Sequence, residues 1–385
     1  GGFYFDKHRD VDSEHSTTEA FLTTRNMTGL DNAVFREFST WTDTLEYAAF
    51  GELTYHMSDK FWLTGGLRYG RSNAQSGSYA GGFNSNYFTN SLLFIPGPLT
   101  IIPGAAEDMP GIKVHEEGLS YKVSASFKPN DAMTAYATIS TGFRTPTANA
   151  RAGSVSTVDP NDLVIPDGAT SDDVTNYEVG LKGAWLDGKL TANLAAYIID
   201  WNNIQVQANR TSDSVQFVTN IGGARSKGIE FEVYARPAKG LDLFITVKVT
   251  SITAEQSAIS GAVEGARLSS PKFKGSLNAK YSFDVGDDAR GFVAGSIYHV
   301  GSFPGSFEFV AGSPGVVSPE YDFTDSYENV NFQVGYEKEN WSLIGYVENA
   351  FDNYSITYVH PERFAPSRRA TLRPRTIGIR FSHSY

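Results

Sequence analysis

Cysteine is missing from all 385 residues, so neither a disulfide framework nor a thiolate metal site is available, a composition compatible with an oxidising compartment without requiring one. Long hydrophobic runs are missing as well. No window approaches the roughly 18 consecutive apolar residues of a membrane helix, which excludes a helical membrane protein. Basic residues are outnumbered, 32 Lys and Arg against 43 Asp and Glu for a net charge of -11, whereas the phosphates of a nucleic acid would need a basic surface. A signal peptide is not seen either, because GGFYFDKHRD at the start reads at once as a strand. An envelope protein needs such a signal, so the expectation is a mature start or an upstream part.

What is present is aromatic and small. Aromatics make up 13%, with 20 Tyr, 26 Phe and 37 Gly, a mixture that suits strands and tight turns. Over the last stretch, Ile377, Ile379, Phe381, His383 and Tyr385 alternate with Gly378, Arg380, Ser382 and Ser384. That is a strand with one apolar and one wet face. Val330, Phe332, Val334 and Tyr336 repeat the pattern, and so do Trp341, Leu343 and Val347 after a turn. A half-buried soluble sandwich also alternates, so the decision rests on how often the pattern recurs.

Fourteen strand-like runs are read, at about 2–9, 43–57, 60–72, 115–128, 132–144, 174–186, 189–207, 215–236, 241–254, 271–284, 290–302, 323–337, 341–351 and 372–385. Six connections are tight, at Met57 to Lys60, Lys128 to Asp131, Leu186 to Lys189, Pro237 to Gly240, Val285 to Asp288 and Glu337 to Asn340. Pro, Asn, Asp and Gly dominate them, as turn chemistry requires. The alternate connections are mostly long, above all Asp10 to Thr42, Ser72 to Val114 and Thr145 to Asp173. Short and long connections in strict alternation are what an up-and-down transmembrane β-barrel produces, with short turns on the periplasmic rim and long loops outside. Strand faces agree: Tyr177, Val179, Leu181, Gly183 and Trp185 oppose Asn176, Glu178, Gly180 and Lys182. Phe61, Trp62, Trp185, Phe283 and Trp341 sit beside tight turns, where an interfacial aromatic girdle belongs.

GFRTPT (Gly142 to Thr147), NYEVGLKGAWLDGKLTANLAAYIIDWNNIQ (Asn176 to Gln205), NIGGARSKGIEFEVYARP (Asn220 to Pro237), YVENAFDN (Tyr346 to Asn353) and PRTIGIRFSHSY (Pro374 to Tyr385) together resemble the C-terminal barrel half of TonB-dependent outer-membrane receptors. The resemblance implies an N-terminal plug and a barrel of about 22 strands. It implies a transporter and no enzyme, importing a scarce ligand such as an iron–siderophore complex, cobalamin or an oligosaccharide across a Gram-negative outer membrane. The TonB complex would drive it through a box near the N-terminus. Here the chain departs from the family, for neither a plug nor a TonB-binding segment is recognised, and residues 1–385 read as a C-terminal portion of the barrel. The alternative is a passive or structural barrel of fourteen strands; a soluble sandwich or propeller ranks third.

No metal, cofactor or catalytic set is expected. His115-Glu116-Glu117 lacks the second histidine of a zinc helix, Asp159 to Asp162 and Asp284 to Asp288 lack the EF-hand spacing, and no GxSxG elbow occurs. Ligand contact is expected instead from loop aromatics, Tyr79, Phe83, Tyr87, Phe88 and Phe94 in one loop and Phe303, Phe307, Phe309, Tyr321 and Phe323 in another. Such rings either wall a ligand at the outer mouth or pack loops on each other. Arg144, Arg151, Arg225, Lys227, Arg363, Arg368, Arg369 and Arg373 are read as lumen cations that attract an anionic ligand or hold an acidic plug. Five arginines between Arg363 and Arg375 also make anionic lipopolysaccharide a candidate partner.

Overall fold

The computed structural model describes residues 1–16, 18–24, 34–81, 107–156, 159–210, 212, 215–254, 264–310, 313–318, 321–360 and 368–384. Fourteen strands form one antiparallel sheet, each paired with its neighbours in chain order. They are β1 (Gly2–Ser16), β2 (Val34–Ser58), β3 (Phe61–Gly81), β4 (Glu107–Asn130), β5 (Met133–Arg144), β6 (Asp172–Trp185) and β7 (Leu190–Asn202). Then come β8 (Gly223–Ala238), β9 (Leu241–Ala254), β10 (Phe273–Val285), β11 (Ala289–Val300), β12 (Tyr327–Lys338), β13 (Trp341–Glu348) and β14 (Thr376–His383). Turns join β2 to β3, β4 to β5, β6 to β7, β8 to β9, β10 to β11 and β12 to β13 within a residue or two of the expected places. Backbone strain settles locally: Leu186, Asp187 and Gly188 all have positive φ, and a Cβ at Gly240 would stand 2.1 Å from the Ser282 carbonyl oxygen.

The register sorts every side chain to one of two faces. One row of direct cross-strand neighbours runs Tyr55, Leu63, Ala125, Ala137, Val179, Ala196, Ile229, Val249 and Phe273. All nine are apolar. Val179, Ile229 and Val249 are 57%, 53% and 50% exposed, a surface that only lipid satisfies at this extent. The opposite face carries Glu46, Arg68, Glu178, Lys182, Glu230, Lys248 and Lys280, and it is the lumen wall. The expected face assignment of 177 to 185 is therefore the observed one, with Leu181 paired to Leu194 and Ala135 in the lipid-facing belt.

Two expected loops are partly strand. β1 continues to Ser16 and β2 begins at Val34, while β3 runs on to Gly81 and β4 starts at Glu107. At 25 residues and about 3.3 Å each, β2 spans roughly 80 Å, far beyond the ~9–11 residues needed to cross a bilayer. The excess stands outside the membrane, where both faces are wet and apolar alternation is absent. A bulge at Pro110-Gly111 shifts the β3–β4 pairing there, the Gly111 backbone taking φ +73. Beyond Asn202 the expected long strand also stops: Asn203 has positive φ, and Gln205–Asn209 pairs with Gln216–Asn220 as a separate hairpin. One short helix, Glu19–Thr24, was not foreseen.

Among the described residues β1 pairs only with β2, and β14 only with β13. The sheet is open, so these fourteen strands do not close into a barrel of their own.

Candidate functional site: the lumen wall and its outer cap

The lumen wall is organised by glycines. Tyr136, Tyr197, Phe292 and Tyr346 each face a glycine on the next strand, namely Gly180, Gly228, Gly335 and Gly378. A Cβ at any of these four would come within 2.0–2.6 Å of the aromatic side chain, so only glycine lets the ring lie flat on the wall. A cation then stands over each ring. Lys182 lies 5.4 Å from the Tyr136 centroid, Lys248 5.7 Å from Tyr197, Lys280 4.0 Å from Phe292 and Arg380 5.8 Å from Tyr346. Several wall charges neutralise one another, as in Arg68 with Glu46 at 2.7 Å, Lys122 with Glu52 at 3.1 Å and Lys248 with Glu230 at 2.5 Å. Tyr136 donates to Glu178 at 2.7 Å. Near the tight-turn rim, Asp242 accepts from Tyr234 at 2.5 Å and from Arg236 at 2.9 Å.

Above the wall, the loops interlock into a cap. Its anchor is Asp172 at the start of β6, whose side chain is 1% exposed. That carboxylate accepts from Arg144 Nε at 3.0 and 2.8 Å, from Arg144 Nη2, from Trp201 Nε1 at 2.9 Å and from the Gln205 backbone at 3.2 Å. Arg144 also stacks on Trp201, 4.8 Å from its centroid. Charge-assisted bonds of this kind are roughly twice as strong as neutral ones, and here they tie both ends of the 145–171 connection to the 203–222 hairpin. Gln205 adds to the knot by donating to the Thr145 and Thr170 carbonyls at 2.8 and 3.0 Å.

The 145–171 segment then turns inward. Ser72, Ala74, Ser76 and Ser78 of β3 share the face of Arg68 and are 2–5% exposed, with Ser78 donating to the Ala150 carbonyl at 2.7 Å. Their small side chains let the segment lie close against the inner wall. Farther along, Asn149 is clamped between the Pro166 and Val218 carbonyls at 3.0 and 2.8 Å. Buried Arg210 donates to the carbonyls of Ser154 and Leu163 at 2.7 and 3.2 Å. Asp162 accepts from the Ser212 and Leu163 backbones at 2.8 and 2.7 Å. Burial works against the charge on Asp162, yet Ser212, Leu163 and nearby Arg210 outweigh it and hold the carboxyl below the usual carboxylate range. An apolar seam of Ile165, Ala208 and Phe217 lies between the two loops.

The residues expected to touch a ligand are scattered by the fold. Phe307 packs against a buried cluster of Ile204, Ile221 and Ala224, joining the 301–326 connection to the 203–222 hairpin. Tyr321 meets Phe323 edge to face at 5.3 Å, and burial, with Glu308 nearby, pushes its hydroxyl upward. Phe309 opens a small hairpin with Ser313–Val317. Tyr79 is on β3, not in a loop, and projects to the outer face. Phe83, Tyr87, Phe88, Phe94 and Arg363 lie outside the described residues. Arg144 is committed to Asp172, and Arg369 pairs with Asp322.

Arg225 and Lys227 are not lumen residues. They share the face of Ile229 and Phe231, Lys227 beside Ile198 and Arg225 beside Asp200, to which its Nε donates at 2.6 Å. The alternation places them on the outer surface, at and above the outermost apolar row. The acidic stretch Asp159 to Asp162 spends its carboxylates on backbone donors, Asp159 capping Asn161 at 3.0 Å. Among the described residues no group of three or more metal-capable side chains is gathered. The sandwiched wall residues were passed over in the sequence, although the wet positions Glu178, Gly180 and Lys182 carried the signal.

An open apolar belt, a polar lumen wall and an outer cap accord with the comparison to known families. The family model described as "TonB dependent receptor-like, beta-barrel" matches residues 2–350. The chain belongs to this family. Its strands are those of a Gram-negative outer-membrane barrel. The TonB-dependent receptor fold is also that of the ferric yersiniabactin uptake receptor FyuA from Yersinia pestis, at TM-score 0.71 and 15% identity over 100% of this chain and 50% of that one. The closed form of the ferric-catecholate import receptor Fiu from E. coli K12 superposes at TM-score 0.61 and 18% identity, over 93% and 47%. In sequence, the ferric-pyoverdine 358 receptor of Pseudomonas putida is 33% identical over 72 residues, 18% of this chain and 9% of the relative. The chain thus spans about half of the solved receptors' length.

Proposed function

We propose that this chain is the C-terminal portion of the barrel of a TonB-coupled receptor that imports a scarce ligand, of the iron–siderophore class, across the outer membrane. The observation that carries the reading is the pairing of the family match over residues 2–350 with a polar wall held under an interlocked cap. Three relatives named for ferric uptake support the ligand class. The open edges of β1 and β14 support a larger barrel, since unpaired backbone groups facing lipid each cost several kcal/mol. Cap and wall would contact the ligand, and outer-membrane lipid and lipopolysaccharide would surround the belt. Neither cobalamin nor an oligosaccharide finds a specific support in the wall. A passive fourteen-strand pore is disfavoured, because an open sheet encloses no channel.

The test is iron-limited growth of a strain lacking its own siderophore receptors. Expression of the full-length protein is expected to restore growth on ferric pyoverdine-, yersiniabactin- or catecholate-type chelates only when TonB is present. Growth restored equally without TonB would refute active coupling, and no restoration by any chelate would refute the ligand class.

A further inference from the structure

The outer cap contains two interfaces of very different make. One joins the 145–171 connection to the hairpin of Gln205–Asn209 and Gln216–Asn220. There Asn149 donates to the Val218 carbonyl at 2.8 Å and accepts from the Val218 backbone at 2.7 Å. The Thr170 backbone donates to Asn220 Oδ1 at 2.8 Å, and Asn220 Nδ2 donates back to the Thr170 carbonyl at 3.0 Å. Ser212 donates to Ser156 at 2.7 Å, while buried Arg210 reaches the Ser154 and Leu163 carbonyls. Ile165, Ala208 and Phe217 fill the seam with buried apolar surface. Paired amide bonds, a buried guanidinium and an apolar seam make these two segments one body.

The other interface lies between that body and β3. Thr147 and Ala148 pack against β3 and β4, and the inward-facing Ser72, Ala74, Ser76 and Ser78 of β3 are 2–5% exposed. Side chains this small bury little apolar area. Ser78 bonds across to the Ala150 carbonyl at 2.7 Å, whereas Ser76 spends its hydroxyl within the sheet, donating to the Trp41 carbonyl at 2.9 Å. Ser72 Oγ is buried with no partner. A hydroxyl left unmet in the closed contact regains water when the contact parts, so this interface opens more readily than the other. At its root the body is tied again, for Asp172 receives Arg144, Trp201 and Gln205, and Phe307 packs on the cluster of Ile204 and Ile221.

We propose that residues 147–156 and 159–170, with the hairpin of Gln205–Asn209 and Gln216–Asn220, form a single lid that pivots at this root and lifts off β3. Opening uncovers the inner wall from Ser72 to Ser78. The lid follows from cap packing and holds whatever the ligand is.

The test is thiol labelling of single-cysteine variants of the full-length receptor in detergent micelles, with any cysteine outside these residues replaced by serine. A methanethiosulfonate reagent is used where its rate rises linearly with concentration, and each rate is normalised to that of the same variant in urea, so that it reports the open fraction. Ser76→Cys reports the β3 contact, and Ala208→Cys reports the seam inside the lid. Ser76→Cys is expected to label about tenfold faster than Ala208→Cys. Added to Ser76→Cys, Ser78→Ala removes the bond to Ala150 and should raise labelling roughly fivefold, while Ser72→Ala removes the unmet hydroxyl and should lower it by a similar factor. General loosening of β3 would not give opposite signs. Should Ala208→Cys fold poorly, Thr219→Cys takes its place, since Thr219 is 8% exposed on the hairpin face of Phe217. Equal labelling at the seam and at Ser76→Cys overturns the single lid, because the two segments would then part from each other. Labelling of Ser76→Cys that neither alanine variant moves overturns the lifting from β3.

Discussion

Replacing Leu181 by arginine puts a charge at the centre of the lipid-facing belt on β6. The outward residues of that strand are Tyr177, Val179, Leu181, Gly183 and Trp185, below the polar Thr175 and Asp173, so Leu181 lies midway between the aromatic ends. Its cross-strand neighbours, Ala135 and Leu194, are apolar and offer the guanidinium no partner. At the bilayer midplane such a substitution costs about 2 to 4 kcal/mol, falling to about 0 to 1 kcal/mol near the interfaces. Thr175→Arg, on the same face but outside the belt, is therefore expected within about 1 kcal/mol of the parent. The assay is reversible urea unfolding of the full-length receptor in phospholipid vesicles, followed by tryptophan fluorescence. Lys182→Leu, one residue on and facing the lumen, should change stability far less than Leu181→Arg. Parental stability for Leu181→Arg with a large loss for Lys182→Leu would invert the face assignment and refute the reasoning.

Removing the anchor with Asp172→Ala leaves Trp201 Nε1 without its acceptor and the Arg144 guanidinium with only the Gln205 carbonyl, at 3.1 Å, and bonds to charged groups contribute about 1.5–3 kcal/mol each. Limited proteolysis is expected to cut within 145–171 while the barrel stays folded; a cap as resistant as the parent's would contradict the anchoring role. Because Asp162 has a depressed carboxyl in the folded cap, its stabilising share is fully present above the ordinary aspartate range and is lost as pH falls through the lowered value. Thiol labelling of Ser156→Cys should therefore rise at strongly acidic pH, and Asp162→Asn should show raised labelling at neutral pH without that step. Gly335→Ala drives a Cβ to 2.0 Å from Phe292 and is expected to cost about 1–3 kcal/mol by overpacking. Gly51→Ala, which meets nothing within 4 Å, is its neutral control in the same unfolding assay.

Much of the barrel was legible because lipid imposes a period of two. Wherever a strand crosses the membrane, one face must be apolar, and the alternation at 177–185 and 377–385 followed directly. The tight turns were equally legible, since a two- to four-residue reversal selects Asn, Asp, Gly and Pro by backbone geometry. Above the membrane that pressure ends. Asn73 to Ser78 show no apolar alternation, so the upper halves of β3 and its neighbours read as loop until their long-range pairing was known. Arg225 and Lys227 were misplaced for a related reason: cations were assigned to the wet lumen, yet their parity with Ile229 sets them on the outer face, where the belt gives way to water.

By itself, the sequence determined the membrane class, the number of wall strands, the alternation of turns and loops and the family, because each is written in local period or contiguous motif. Only the tertiary structure decided which cations are neutralised and which stand over rings, which loops interlock and that the sheet remains open. Those outcomes depend on residues far apart in the chain meeting across strands, as Asp172 meets Trp201 and Phe307 meets Ile204. No local pattern encodes such meetings, since register and loop packing are settled by the whole set of non-local contacts at once.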